Sequence, residues 1–470
     1  MKTGNSSVRS SIQPQIVYLP LEVCRRELVG KVFLATRLAK DGHTVILFQS
    51  DFFDTFGWPA SGIYIGKNCF RTERPYDTHY YKRMKSQGVS LWHLDEEGGI
   101  YAGQGPDDWS KRLAMRLDPN TLDADDKILC WGKWQANAFS TQKPAAAVLV
   151  TGSPNFDVFH PKYAAAFADY DRRQTNDEEN YILVNTRFAL TNGLIPLHHH
   201  LMGKGAMSKL LDRGHLAQSA VTVGALQYLL TKLILHLARS FPEKKFIVRP
   251  HPAEDPQFYS SIFDTLSNVS VRWSGDVGSW IRRSDALIHN GCTTAIQAAI
   301  AGKPVITFVP LLEPAKVEFK LPNTVGDICQ SEEEVVDVLD HLSPYRKTKN
   351  EFSYTISGTE SIESIAQLVT SNSSRALDAK RFDDIHKHIA KKHAISKVKQ
   401  RIRRGLSLLY PEMGRRMETE AKQFDYEFFS EAPVLHGLAD NHYEAASTCI
   451  HLKNTCCIIQ PAAEVAVYNS

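Results

Sequence analysis

The feature that most constrains this chain is an alternation near its start. IVYLPL (16–21) reads as a buried strand, and ELVGKVFLATRLAKDGH (27–43) carries apolar residues at helical spacing, with Gly42 as a stop signal. TVILFQ (44–49) is then a second strand. A strand that passes through a helix before the next strand is the opening unit of a parallel sheet, because the helix must return the chain to the same end. SGIYIG (61–66), VSLWHL (89–94), KILCWG (127–132) and AAVLVTG (146–152) continue the series.

A second series follows a break. Residues 161–180 begin helical and end in RRQTNDEEN, a composition suited to a linker. YILVNT (181–186), KKFIVRP (244–250), VSVRW (269–273), DALIHN (285–290) and VITFV (305–309) read as strands, and VTVGALQYLLTKLILHLARSF (221–241) as a long helix. At 470 residues the chain is too long for one core. The expected division is a disordered stretch at 1–14, an α/β domain at 15–165, a second at 181–345 and a helical, partly basic extension at 346–470. From Ala432 onward the extension shows no readable pattern. The predicted class is therefore α/β, with two Rossmann-like domains facing each other. Ligands bind such folds where the carboxyl ends of the strands meet.

Composition narrows the function. A net charge of +3 gives no overall pull toward nucleic acid. No run of eighteen apolar residues suggests a membrane span, and MKTGNSSVRSSIQPQ lacks the apolar core of a signal peptide. The eight cysteines form no CxxC, with three crowded at Cys449, Cys456 and Cys457, which fits a reduced, cytoplasmic setting.

Three strand ends carry chemistry. RPHPAED (249–255) places Arg249 and His251 on one strand face, an arrangement that suits an anion. HNGCTTAIQAAIAGKP (289–304) puts Gly291 at a tight strand-to-helix turn and Thr293 and Thr294 at the first helical turn, where N–H groups and hydroxyls favour a phosphate. WHLDEEGG (92–99) crowds Asp95, Glu96 and Glu97 at a strand end of the other domain. Like charges raise at least one pKa there, which suits a general base, while Gly98 and Gly99 allow close approach of a substrate. The same stretches also read as a capped loop, a Thr cap and a solvated acidic turn.

EEG (96–98), HP (251–252) and the hydroxyl pair (293–294), in this order, resemble the signature of bacterial sialyltransferases and Kdo transferases with the GT-B fold. PLEVCRREL (20–28) and TGSPNFDVF (151–159) are similar to the bacterial surface carbohydrate biosynthesis protein family. The resemblance implies a metal-independent glycosyltransferase without a cofactor. Its donor would be a nucleotide-sugar, with a CMP-activated Kdo- or sialic-acid-like sugar favoured, and its acceptor a surface glycan or lipid-linked sugar. It implies Glu96 as base, with Asp95 as the alternative, and His251, Thr293, Thr294 and Arg249 meeting the donor phosphate or carboxylate. The pair here is Thr-Thr where Ser-Ser or Ser-Thr is familiar, and an extra acid precedes EEG. Both departures touch the donor more than the fold. Inversion and retention stay open.

Two further positions are candidates. Arg187, after YILVNT, would reach the donor phosphate, and Asp276 in WSGDVGSW would take a ribose hydroxyl or cap a turn. HHH (198–200) lacks partners for zinc, and GKGAMSK (203–209) lacks P-loop spacing. Residues 380–404 carry ten Lys/Arg against two Asp, with isoleucines at near-helical intervals. That pattern suits a solvated helix or peripheral contact with the inner membrane. Rival readings on the same fold are a UDP-sugar transferase or 2-epimerase and a CDP-glycerol-type glycerophosphotransferase. A non-catalytic nucleotide-sugar-binding subunit is the rival of another class.

Overall fold

The computed structural model describes residues 14–49, 58, 60–67, 75–96, 109–110, 113–114, 116–194, 197–202, 213–311, 318–342, 356, 360–372, 429–443, 448–453 and 456–461. The stretch expected to be disordered (save its last residue), Glu97 to Gly99, GKGAMSK and the basic segment 380–404 lie outside these residues.

The first domain opens with β1 (Ile16–Leu21), α1 (Cys24–Lys40) and β2 (Thr44–Gln49). It continues through β3 (Gly62–Gly66), α2 (Pro75–Ser86), β4 (Val89–Leu94), β5 (Lys127–Cys130), α3 (Lys133–Ser140), β6 (Ala147–Val150) and α4 (Pro154–Asp157). α5 (Ala164–Gln174) leads to the second domain. There, β7 (Tyr181–Asn185), α6 (Leu197–Leu201), α7 (Arg213–Ser240), β8 (Lys245–Arg249), α8 (Pro256–Phe263) and β9 (Val269–Val271) form one half. α9 (Val277–Arg283), β10 (Ala286–His289), α10 (Thr294–Ile300), β11 (Val305–Phe308), β12 (Asp327–Cys329) and α11 (Glu332–Asp340) form the other. The tail adds α12 (Ser361–Ser371), α13 (Ala432–Tyr443), β13 (Thr448–Lys453) and β14 (Cys456–Pro461).

The second sheet is wholly parallel, in the order β12-β11-β10-β7-β8-β9. This is the doubly wound order, and its reversal falls between β7 and β10. The first sheet runs β13-β14-β2-β1-β3-β4-β5-β6. β1 to β6 are parallel there, and the tail hairpin joins antiparallel to β2, with Cys457 opposite Leu47 and Ile459 opposite Val45. Both domains are thus α/β layers around parallel sheets, the fold class read from sequence.

α1 explains why the tail returns. Its apolar residues Leu28, Val29, Val32, Phe33, Leu34, Ala35, Leu38 and Ala39 cover far more than one stripe, and all are buried. A helix apolar on two sides needs cover on two sides. The sheet supplies one, and α12 and α13 supply the other. α7 contains a stretch, Leu216–Ser240, long and apolar enough to cross a membrane, yet half of it is buried. Leu226, Leu230, Leu233, Ile234 and Leu237 there belong to the second-domain core.

α5 packs against an element of each domain. Phe167 stacks on Phe33 of α1 with centroids 5.1 Å apart. One turn further along, Asp171 accepts two bonds from Arg282 of α9, at 2.8 and 2.7 Å, and the guanidinium lies 3.9 Å from the Phe167 ring centroid.

Candidate functional site

The two carboxyl edges face each other across the first turn of α1. Arg25 Nη1 donates to the Trp273 carbonyl just beyond β9, at 3.2 Å, and its guanidinium lies 5.4 Å from the Trp273 ring centroid. The neighbouring Arg26 is close enough to act on His251 electrostatically.

In the second domain, the ends of β7 and β10 meet at the topological switch. Arg187 Nε donates to the Asn290 carbonyl at 2.7 Å, and Nη2 to Asn290 Oδ1 at 3.0 Å. Gly291 has φ +63°, and a Cβ there would lie 2.5 Å from Arg187 Nε. Glycine is therefore required twice over, by conformation and by the arginine against it. Thr294 Oγ1 accepts from Asn185 Nδ2 at 2.9 Å and donates to Cys292 Sγ, while Thr293 stands exposed at the N-cap with its hydroxyl making no cap bond. His289 is buried between Thr307 Oγ1 and the Cys292 amide, and burial pulls its pKa down to about 3.

RPHPAED is built differently from the alternating strand expected. β8 ends at Arg249 and the chain turns at Pro250, so Arg249 and His251 do not share a strand face. The Arg249 fork is filled instead: Nη1 and Nη2 donate to the Ser274 and Gly275 carbonyls, both at 2.6 Å. Contrary to the expectation from the sequence, Arg249 in this arrangement is spent within the protein, where it clamps the β9–α9 turn. His251 is open to solvent yet set deep between the domains, where surrounding protein and Arg26 pull its pKa down to about 4. Its Nδ1 accepts from the Ala253 amide at 3.2 Å, which leaves the neutral ring with its proton on Nε2. Asp276 caps α9, accepting from the Ser279 amide at 2.9 Å, the turn-capping alternative read from sequence.

In the first domain, Asp95 and Glu96 follow the end of β4 and take different partners. Asp95 is buried and pairs with Arg116 at 3.3 Å. Glu96 is only 4% exposed, and both its oxygens are engaged. Oε1 lies 2.6 Å from Lys31 Nζ, and Oε2 accepts from Asn155 Nδ2 at 2.7 Å. Lys31 also pairs with Glu27 at 3.2 Å and donates to the Pro20 carbonyl. Two carboxylates thus share one buried ammonium with opposite outcomes. Burial holds Glu96 above the usual carboxylate range despite Lys31. For Glu27, burial raises the pKa too, but Lys31, Arg26 and Lys67 outweigh it and hold the value down at about 2. A pair pushed apart this way separates the fixed counter-ion from the group able to exchange a proton. Gly30 makes the contact possible, since a Cβ there would lie 2.7 Å from the Pro154 backbone.

Sequence reasoning missed Lys31 and Glu27, because helical spacing marked α1 as core, and Asn155, because nothing in TGSPNFDVF shows that α4 packs against Glu96. It also passed over Glu254, the sixth residue of RPHPAED. Glu254 is fully buried and accepts from Thr186 Oγ1 (2.7 Å), the Phe188 amide (2.9 Å), the His251 amide (3.2 Å) and Tyr259 OH (2.7 Å). Asp255 caps α8. Among the described residues one carboxylate group, Asp123, Asp125 and Asp126, has metal-like geometry. It lies before β5, away from these strand ends, and the Lys85 ammonium sits 2.7 Å from Asp125 and 3.0 Å from Asp126.

No protein-family model matches the chain, and no curated protein matches it. Solved structures do. UDP-GlcNAc 2-epimerase from Methanocaldococcus jannaschii is 12% identical, covers 76% of this chain and 99% of its own, and has a TM-score of 0.47. The same enzyme from Neisseria meningitidis, bound to UDP-GlcNAc, is 12% identical over 75% of this chain and 100% of its own, with a TM-score of 0.46. The wall teichoic acid polymerase TagF is 12% identical over 76% and 88%, with a TM-score of 0.48. At these identities and scores the likeness carries nothing about substrate, and the chemistry rests on the residues above.

Proposed function

We propose that this chain is an enzyme that transfers a sugar from a nucleotide-activated donor, bound between the two carboxyl edges, to a glycan or lipid-linked acceptor. A CMP-activated Kdo- or sialic-acid-like sugar is the favoured donor. The observation that carries the reading is the facing of two unlike edges: one with a neutral imidazole donor, an exposed hydroxyl and an arginine at the switch point, the other with a carboxylate of raised pKa.

The donor phosphate lies against His251 Nε2–H, the Thr293 hydroxyl and the Arg187 segment, which stabilise charge as the nucleotide leaves. His251 does this as a neutral donor, because its pKa lies near 4. The acceptor hydroxyl takes the place of Asn155 Nδ2 at Glu96 Oε2 and gives up its proton there. Lys31, tied to Glu27, keeps the opposite oxygen fixed.

The test is thermal shift of the full chain with CMP, UDP, CDP and GDP. Selective stabilisation by CMP, lost in His251→Ala, is the expected result. Stabilisation by UDP or CDP alone would replace the donor with that of an epimerase or glycerophosphotransferase. No response to any nucleotide would remove the donor site.

A further inference from the structure

Glu254 contributes nothing to the chemistry just described, yet its carboxylate lies beneath both halves of the second-domain edge. Oε1 accepts from Thr186 Oγ1 and the Phe188 amide, the two residues that flank Arg187. The same oxygen accepts from the His251 amide. Oε2 accepts from Tyr259 OH on α8, so the carboxylate is anchored from behind. The continuous β7–β8 ladder ends at Asn185 and Arg249. Beyond it the Thr186 amide donates to the Arg249 carbonyl and a single bridge joins Gly193 to Glu254, and between these links the Glu254 carboxylate ties the two loops together. Its loop is held in turn by Asn192, whose carbonyl accepts from the Asp255 amide, and by the Leu194 amide, which donates to the Ala253 carbonyl.

A buried carboxylate is costly to desolvate and is tolerated when several donors meet it. Capping α8 does not require it, since Asp255 does that. We propose that Glu254 is the positioning residue of the anion site, holding the Arg187 segment and His251 in one fixed arrangement around a phosphate. The proposal rests on the reading that these strand ends take a nucleotide phosphate. The side chain does not touch the ligand; it acts through the backbone of residues 186–188 and 251.

Glutamine keeps the shape: its carbonyl oxygen can accept from Thr186, Phe188 and His251 while its amide donates to the Tyr259 oxygen. Alanine removes all four bonds. With CMP and cytidine as probes in calorimetry, Glu254→Ala should bind the nucleotide roughly tenfold or more weakly, as expected for lost charge-assisted bonds. Cytidine affinity should stay as it was, and Glu254→Gln should recover most of the loss. Equal CMP affinity in a folded Glu254→Ala would overturn the proposal, as would equal losses for CMP and cytidine. Thr186→Val removes one bond and serves if the alanine variant does not fold; it should weaken CMP alone, and no change would count against the role. Hydrogen exchange at the Phe188 and His251 amides needs no ligand. Both should exchange faster in Glu254→Ala than in the wild type, while the amides within β7 and β8 keep their rates. If the wild type bound no nucleotide, the functional reading would fail, while unchanged exchange at these two amides would independently overturn the positioning role.

Discussion

At the residue scale, Glu96 carries the sharpest prediction. As general base, Glu96→Gln should lower turnover by roughly 10²–10⁴-fold. The amide oxygen can still accept from Lys31, but its NH2 then faces the Asn155 Nδ2 donor and Glu27 is left as the counter-ion of Lys31, so a moderate fall in melting temperature is expected beside the kinetic loss. A large loss of stability with turnover unchanged would make Glu96 a structural tie alone. Gly291 is a second case. Alanine at its φ of +63° should cost roughly 1–2 kcal/mol from backbone strain, read by urea denaturation, and should also push Arg187 away from Asn290. Residue types at strand ends were legible in the sequence; their partners were not. The motif RPHP names an arginine and a histidine, but only the turn at Pro250 shows that the guanidinium is spent on the Ser274 and Gly275 carbonyls. Glu254 looked like loop polarity because burial is a property of the packed loop, not of its letters.

At the element scale, the strands of both sheets were readable from short apolar runs bounded by turn residues, and VSLWHL matches β4 residue for residue. β12 was not, since Asp327–Cys329 is three residues long. The β13–β14 hairpin was hidden because the strand that it joins, β2, lies roughly four hundred residues away in the sequence. The docking of α12 has its own pH signature. His43 accepts from the Gln15 amide and meets Thr370 Oγ1 at 3.2 Å through its other nitrogen. Burial pulls its pKa from 6.5 down to about 4, so the unfolded chain binds a proton more readily than the folded one. The stability it contributes is therefore present above the ordinary histidine value and is lost as pH falls from 6.5 through about 4. Urea midpoints across that range should fall more steeply in the wild type than in His43→Gln, which cannot take up the proton.

At the scale of the whole molecule, two α/β units were expected to meet at their carboxyl edges, and the alternation of strands and helices was enough to say so. What the sequence could not show is how α5 binds them. Arg282 and Asp171 are each less than a tenth exposed, and the pair lies between Phe167 and the α9 cap. Arg282→Ala leaves Asp171 buried without its partner and should cost about 3–5 kcal/mol. Because α5 is shared, the urea transition should split into two as the domains uncouple, detectable by comparing tryptophan fluorescence with circular dichroism.

The antiparallel pairing of β14 with β2 has a consequence for the order in which the protein is made. On a ribosome the strands from β1 to β6 emerge first, and the second domain next. β2 waits with a bare edge until residues 456–461 appear, and α1 waits with an uncovered apolar side until α12 and α13 arrive. An unpaired, apolar strand edge is a template for pairing with another chain. The nascent chain thus passes through a long interval as a sheet open to its neighbours, until β14 pairs with β2 and closes that edge.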